Sequence, residues 1–125
     1  MLILVRGLPG SGKTTFAKKC RVYLHLEADM FFVDANKKYV FDGSRIKQAH
    51  EWCQNTARIM LNNNIPVIVS NTFTTIKEMQ FYLDCEIPFT IYRMTREYGS
   101  IHDVPSETIE RMRSRFEPIK GETLI

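Results

Sequence analysis

The residues Gly7-Leu8-Pro9-Gly10-Ser11-Gly12-Lys13-Thr14-Thr15 fit G-x-x-x-x-G-K-[ST], the phosphate-binding loop pattern known as the P-loop or Walker A motif. Each residue type has a physical use. The glycines turn the backbone tightly, so that successive N–H groups converge on phosphate oxygens. Lys13 brings a point charge to the β- and γ-phosphates, and the Thr14 hydroxyl is an oxygen ligand for Mg²⁺. A helix beginning near Lys13 aims the positive end of its dipole at the same phosphates. Gly7, Pro9, Gly10, Ser11, Gly12, Lys13, Thr14 and Thr15 are therefore the candidate residues for binding a nucleoside triphosphate, and Thr14 is the candidate metal ligand.

Two further residues have types suited to chemistry on a triphosphate. Asp29 follows a short apolar segment; a carboxylate beside the γ-phosphate accepts the proton of an attacking hydroxyl, or supports Mg²⁺ directly or through water. Its structural alternative is a helix N-cap ahead of Met30-Phe31-Phe32. Arg96 stands in a polar loop, Thr95 to Val104, where a guanidinium can close over phosphate oxygens, neutralise transition-state charge and exclude water. Arg93 reads as a solvated strand residue, His102 as a turn or surface histidine more than a base, and Arg111, Arg113 and Arg115 as the wet face of a helix. Ser70-Asn71-Thr72 occupies the place where many P-loop proteins carry a metal-supporting acid. No acid occurs there, which leaves that role to Asp29 or leaves the metal to Thr14 and the phosphates.

The elements that must position these residues alternate. Leu2-Ile3-Leu4-Val5 is the apolar run of a buried parallel strand. Phe16, Ala17 and Cys20 then repeat at helical spacing. Tyr23 to Glu27 reads as a second strand, and Asp29 to Asp34 as a short helical turn. Ser44 is a plausible N-cap for the longest helix, whose apolar face is Ile46, Ala49, Cys53, Ala57, Met60 and Leu61. Asn62-Asn63-Asn64 stops it. Ile65 to Val69 is a third strand, entered through Pro66. Thr75-Ile76-Lys77-Glu78 is a capping box for a helix buried along Ile76, Met79 and Leu83. Ile87 to Met94 is a fourth strand. Pro105 opens a last helix, with Ile109, Met112 and Phe116 inward, and Pro118 closes it. This alternation predicts an α/β fold, a parallel sheet between helices. Ligands of such sheets lie beyond the carboxyl ends of the strands, where Gly7 to Thr15, Asp29, Asn71 and Arg96 all fall.

Length and composition agree. The 125 residues are read as one domain, 1–125. No apolar stretch is long enough for a membrane helix, and Met1 to Val5 lacks the basic start and long centre of a signal peptide. The three cysteines, Cys20, Cys53 and Cys85, show no pairing or metal spacing, which predicts reduced thiols and a cytoplasmic location. The net charge of +3 is concentrated in the first 25 residues. It permits a polyanionic partner but lacks the dense basic stripe of a dedicated duplex binder.

Four segments together resemble the P-loop kinase domain of phage-type polynucleotide 5′-kinases and their small ATP-binding, AAA-like relatives. They are Gly7 to Thr15, Glu27-Ala28-Asp29-Met30-Phe31-Phe32, Val67 to Thr72, and Val104-Pro105-Ser106 with Ile109-Glu110-Arg111-Met112. The resemblance implies a three-layer P-loop NTPase fold with a four-stranded parallel sheet in the order 2-3-1-4. It also implies ATP as donor, Lys13 and Thr14 holding the triphosphate and Mg²⁺, and Asp29 as general base toward an acceptor hydroxyl. Two positions depart from that pattern. The arginine those kinases carry shortly after the aspartate, which binds acceptor phosphates, is Phe32 here, and the lid offers only Arg96 and His102. An apolar Phe32 points toward a less anionic acceptor than a nucleic-acid end.

The leading functional expectation is a phosphotransferase moving the γ-phosphate of Mg-ATP to a hydroxyl of a polynucleotide 5′-end, a nucleoside or another small molecule. The alternative is an ATP-binding or ATPase regulatory module without kinase activity, which the missing acid at Asn71 favours. A GTPase switch is disfavoured, since Asn36-Lys37-Lys38-Tyr39 lacks the aspartate of N-K-x-D. A nucleic-acid binder without catalysis is disfavoured by the modest charge.

Overall fold

The computed structural model describes residues 1–98 and 104–125. A five-stranded sheet runs in the order β2-β3-β1-β4-β5, with every pair parallel. The strands are β1 (Leu2–Arg6), β2 (Leu24–Leu26), β3 (Val67–Ser70), β4 (Phe89–Arg93) and β5 (Thr123–Leu124). The expected order of the first four holds. The addition is β5, a two-residue edge strand too short to leave a periodic signal.

The central strands are buried on both faces because their apolar residues run without alternation. Leu2 and Leu4 of β1 and Val67 and Val69 of β3 join one core with Cys53, Ala57 and Leu61 of helix α2 (Ile46–Asn62) and Met79 and Tyr82 of helix α3 (Ile76–Leu83). Ile3, Val5 and Ile68 point to the opposite face and meet Ala17 of helix α1 (Lys13–Lys19). Each fully buried aliphatic side chain contributes about 1.5–3 kcal/mol over its exposed state. Register follows from this packing: Leu2, Ile3, Leu4 and Val5 lie against Val67, Ile68, Val69 and Ser70.

Several local readings need correction. Asp42, not Ser44, caps the turn that enters α2: its carboxylate accepts from the Ser44 N–H at 3.0 Å and the Ser44 hydroxyl at 2.7 Å. A short 3-10 turn over Gly43–Arg45 then precedes the α-helix. Ile46 and Ile76 are exposed, because each is the first residue of its helix, outside the packed stripe; Met79 and Tyr82 carry the buried face of α3 instead. The Thr75–Glu78 capping box forms. Asn64 takes the left-handed conformation at φ 60° after α2, as the asparagine stop requires. Helix α4 (Ser106–Arg115) follows Pro105, with Ile109, Met112 and Phe116 half-buried. All three cysteines are free thiols, and among the described residues no helix is long and apolar enough to cross a membrane.

The carboxyl end of the sheet is tied together by a buried arginine. Arg6, the last residue of β1, is fully buried. Its Nε and Nη2 donate to the Phe73 carbonyl at 2.9 and 2.8 Å, and its Nη1 pairs with Glu122 at 2.7 Å. The guanidinium also lies 4.2 Å from the Phe116 ring centre. Arg93 of β4 pairs with the other oxygen of Glu122 at 3.5 Å and lies 4.6 Å from the same ring, so it is not the solvated strand residue its alternation suggests. Arg115 is exposed on α4, as expected, and also donates to the Thr74 hydroxyl at 3.2 Å. These contacts fasten α4 and β5 to the strand that delivers the P-loop.

Candidate functional site

Residues 7–12 leave β1 as a tight loop and enter α1 at Lys13. Two glycines are required by the space around them. A β-carbon on Gly7 would stand 2.5 Å from the Ser11 hydroxyl and 2.9 Å from the Met94 carbonyl oxygen. Gly12, at φ 90°, occupies the left-handed region, and a β-carbon on it would stand 3.1 Å from the Tyr98 ring. Inside the loop the Ser11 hydroxyl is buried with no hydrogen-bond partner among the described residues, an unusual state for a buried donor and one that a phosphate oxygen would satisfy.

Lys13 folds back, its Nζ donating to the Leu8 carbonyl at 3.0 Å. Burial pushes its ammonium down to about 8, although the carboxylates of Glu27 and Asp29 support the charge. Both acids at the end of β2 therefore lie within electrostatic reach of the P-loop lysine. Asp29 sits in the 3-10 turn Ala28–Phe32. That turn is pinned by Asn71, whose Oδ1 accepts from the Ala28 N–H at 2.9 Å and whose Nδ2 lies 3.9 Å from the Cys53 sulfur. Asn71 is thus a positioning residue that joins the end of β3 to the start of the Asp29 turn. Beyond the turn the chain doubles back, with Val33 bridged to Tyr39, and the Tyr39 hydroxyl comes to 3.4 Å from Asp29 Oδ1. Burial, then the Asp29 charge and this contact, push the Tyr39 phenol up.

The residue that sequence reasoning missed as part of the site is Glu27. Its Oε1 accepts from the Thr14 hydroxyl at 2.5 Å and lies 3.0 Å from His25 Nε2. Burial alone would raise this carboxyl; the contacts with His25 and Thr14 and the nearby Lys13 charge bring it below its ordinary range. The available signal was its place immediately after β2, two residues before Asp29. Hydroxyl and carboxylate oxygens are hard donors of the kind Mg²⁺ takes, so the residues around Thr14 fit that ion.

On the opposite side of the P-loop, Leu8, Ser11, Thr95, Arg96 and Phe116 help line a cavity of about 120 Å³. Arg96 is exposed and donates to the Tyr98 hydroxyl at 3.0 Å, while the Tyr98 N–H donates to the Gly10 carbonyl at 2.6 Å. Glu97 pairs with Arg113 of α4 at 2.8 Å. The first part of the Thr95 to Val104 loop therefore lies on the P-loop; His102 lies outside the described residues. Pro9 and Gly10 are half-buried in the loop, and Thr15 is exposed on α1.

Phe32 turns into an aromatic cluster. It is 7% exposed and packs against Phe31, Tyr39 and Phe41. The Arg45 guanidinium lies 4.7 Å from the Phe31 ring centre, so the wall beside Asp29 combines aromatic rings with a positive charge.

A family model described as AAA domain matches residues 2–85. NEDD4-binding protein 2 of Homo sapiens is 31% identical over 137 aligned residues that cover 94% of this chain. The chain spans only 8% of that relative's length. Among solved structures, a sugar kinase from Janibacter sp. HTCC2649 superposes with a TM-score of 0.70 at 14% identity, covering 99% of this chain and 82% of that one. The Pnkp1/Rnl/Hen1 complex contains a chain that superposes with a TM-score of 0.62 at 18% identity, covering 88% of this chain and 38% of that one. At such identities these likenesses speak for the fold.

Proposed function

The chain belongs to the AAA domain family, within the P-loop NTPase and kinase superfamily, and from that premise we propose that it transfers the γ-phosphate of ATP to an acceptor hydroxyl. The observation that carries this reading is the placement of Asp29 in a turn whose carboxylate acts electrostatically on Lys13. A phosphate-binding lysine with a carboxylate within electrostatic reach supplies the parts that transfer to an alcohol requires.

Asp29 accepts the acceptor's proton, the acceptor oxygen forms a bond to Pγ, and the bond from Pγ to the β-γ bridging oxygen breaks, leaving ADP. Lys13 leaves the Leu8 carbonyl for the β/γ oxygens and balances the charge that gathers there. Ser11 gains the partner its buried hydroxyl lacks. The cavity beside Thr95, Arg96 and Phe116 lies across the P-loop from Asp29 and suits the nucleoside end of the donor, and Arg96 is the candidate lid residue. Mg²⁺ held at Thr14 would neutralise phosphate charge.

The acceptor is a hydroxyl of a polynucleotide 5′-end, a nucleoside or another small molecule, reached from the wall of Phe31, Tyr39, Phe41 and Arg45. Incubation with γ-labelled ATP and a panel of these acceptors tests the reading; a labelled product supports it, and a panel without one overturns it.

A further inference from the structure

We propose that Glu27 is the carboxylate of the divalent-cation site, standing at the end of β2 in place of the acid that the end of β3 lacks. Asn71 cannot fill that role. Its amide carries no charge, and it is bonded to the Ala28 N–H and set against the Cys53 sulfur. Among the described residues the acid bonded to the P-loop threonine is Glu27, whose Oε1 accepts the Thr14 hydroxyl hydrogen.

That bond fits a cation site. With its hydrogen directed to Glu27, the Thr14 oxygen keeps its lone pairs for a metal ion. The His25 ring meets the same Oε1, so among the described residues both contacts fall on one oxygen, and Oε2 is available to the ion or to one of its waters. The Glu27 side chain is 14% exposed, so a metal ion offsets a half-buried negative charge that otherwise stands close to an incoming triphosphate. Mg²⁺ characteristically binds through one or two protein carboxylates, substrate phosphates and retained water, and Thr14 with Glu27 would supply the protein oxygens of such a set. His25 is the positioning residue that orients the carboxylate.

This inference rests on nucleotide binding at the P-loop and not on phosphoryl transfer, so the two are tested apart. Mn²⁺ serves as probe, with its free fraction read by electron paramagnetic resonance in the presence of the protein and ADP. E27Q is expected to weaken Mn²⁺ binding to the ADP complex by about tenfold to a hundredfold. In EDTA the same variant should bind ADP at least as tightly as the wild type, because a negative charge beside the phosphates is gone. Unchanged Mn²⁺ affinity overturns the proposal, as does an equal loss of metal-free ADP binding, which would make Glu27 a tether for the loop. Should E27Q not fold, E27D decides: it keeps the charge but shortens the reach, and undiminished Mn²⁺ affinity in a cooperatively melting E27D overturns the proposal. A transfer assay that fails while Mn²⁺ binding depends on Glu27 removes the kinase reading and leaves the cation site.

Discussion

The side-chain amide of Asn71 and the backbone N–H of Ala28 meet at 2.9 Å across the ends of two neighbouring strands. This bond ties the 3-10 turn carrying Asp29 to the central sheet, and it employs the position where many P-loop proteins hold an acid. N71A leaves the buried Ala28 N–H without its acceptor, which costs about 1–3 kcal/mol. Urea unfolding should show that loss, with nucleotide affinity reduced less than stability.

Lys13 gives nucleotide binding a definite pH dependence. Burial holds its ammonium at about 8 in the free protein, and a bound triphosphate favours the charged form. Below that value the lysine is protonated in both states and contributes no slope. Above it, affinity falls by up to about tenfold per pH unit, since the bound state alone retains the proton. Calorimetry at about pH 8.5 in two buffers of different ionisation enthalpy should show proton uptake on ATP binding, absent in K13M.

The same depression acts on folding with the opposite slope. The unfolded lysine keeps its proton up to 10.5 while the folded one releases it near 8. This group therefore destabilises the free protein at neutral pH, and that penalty is relieved as pH rises between those values. Comparison of wild type and K13M by denaturant titration across that window isolates the effect: the wild type should gain stability relative to the variant.

G7A tests the packing of the loop. The added methyl meets a backbone carbonyl of Met94 at 2.9 Å as well as the Ser11 hydroxyl at 2.5 Å. Only the hydroxyl can swing away. Overpacking of this kind costs about 1–3 kcal/mol, and the displaced loop should lose nucleotide affinity while far-ultraviolet circular dichroism is unchanged.

The Arg6–Glu122 pair should behave as a buried ion pair. E122A leaves a fully buried guanidinium without its carboxylate, and such a loss costs about 3–5 kcal/mol. The double variant R6M/E122L removes the unpaired charge and should recover only part of the loss in the same unfolding assay, because the Phe73 carbonyl then loses its donors and Arg93 its carboxylate.

Much of this was legible in the chain, and the illegible parts share a cause. The P-loop, the Thr75–Glu78 box and the asparagine stop are local patterns, each fixed by neighbouring residues. The order of the first four strands follows from the family resemblance. Glu27 was not legible as a partner of Thr14, because β3 separates β2 from β1 in the sheet and only tertiary packing joins the two residues. Arg93 looked like a solvated strand residue until Glu122, far along the chain, supplied a carboxylate that it shares with Arg6. The cap at Asp42 was hidden by the 3-10 turn between it and α2, and β5 by its length of two residues.

The central claim is that Asp29 removes the acceptor's proton. The direct measurement is transfer of label from γ-labelled ATP to the best acceptor of the panel by wild type and D29N, alongside ATP affinity from calorimetry. General-base catalysis contributes about 10²- to 10⁴-fold, so D29N should lose transfer by a factor in that range while binding ATP as tightly as the wild type. Undiminished transfer by D29N would contradict the account.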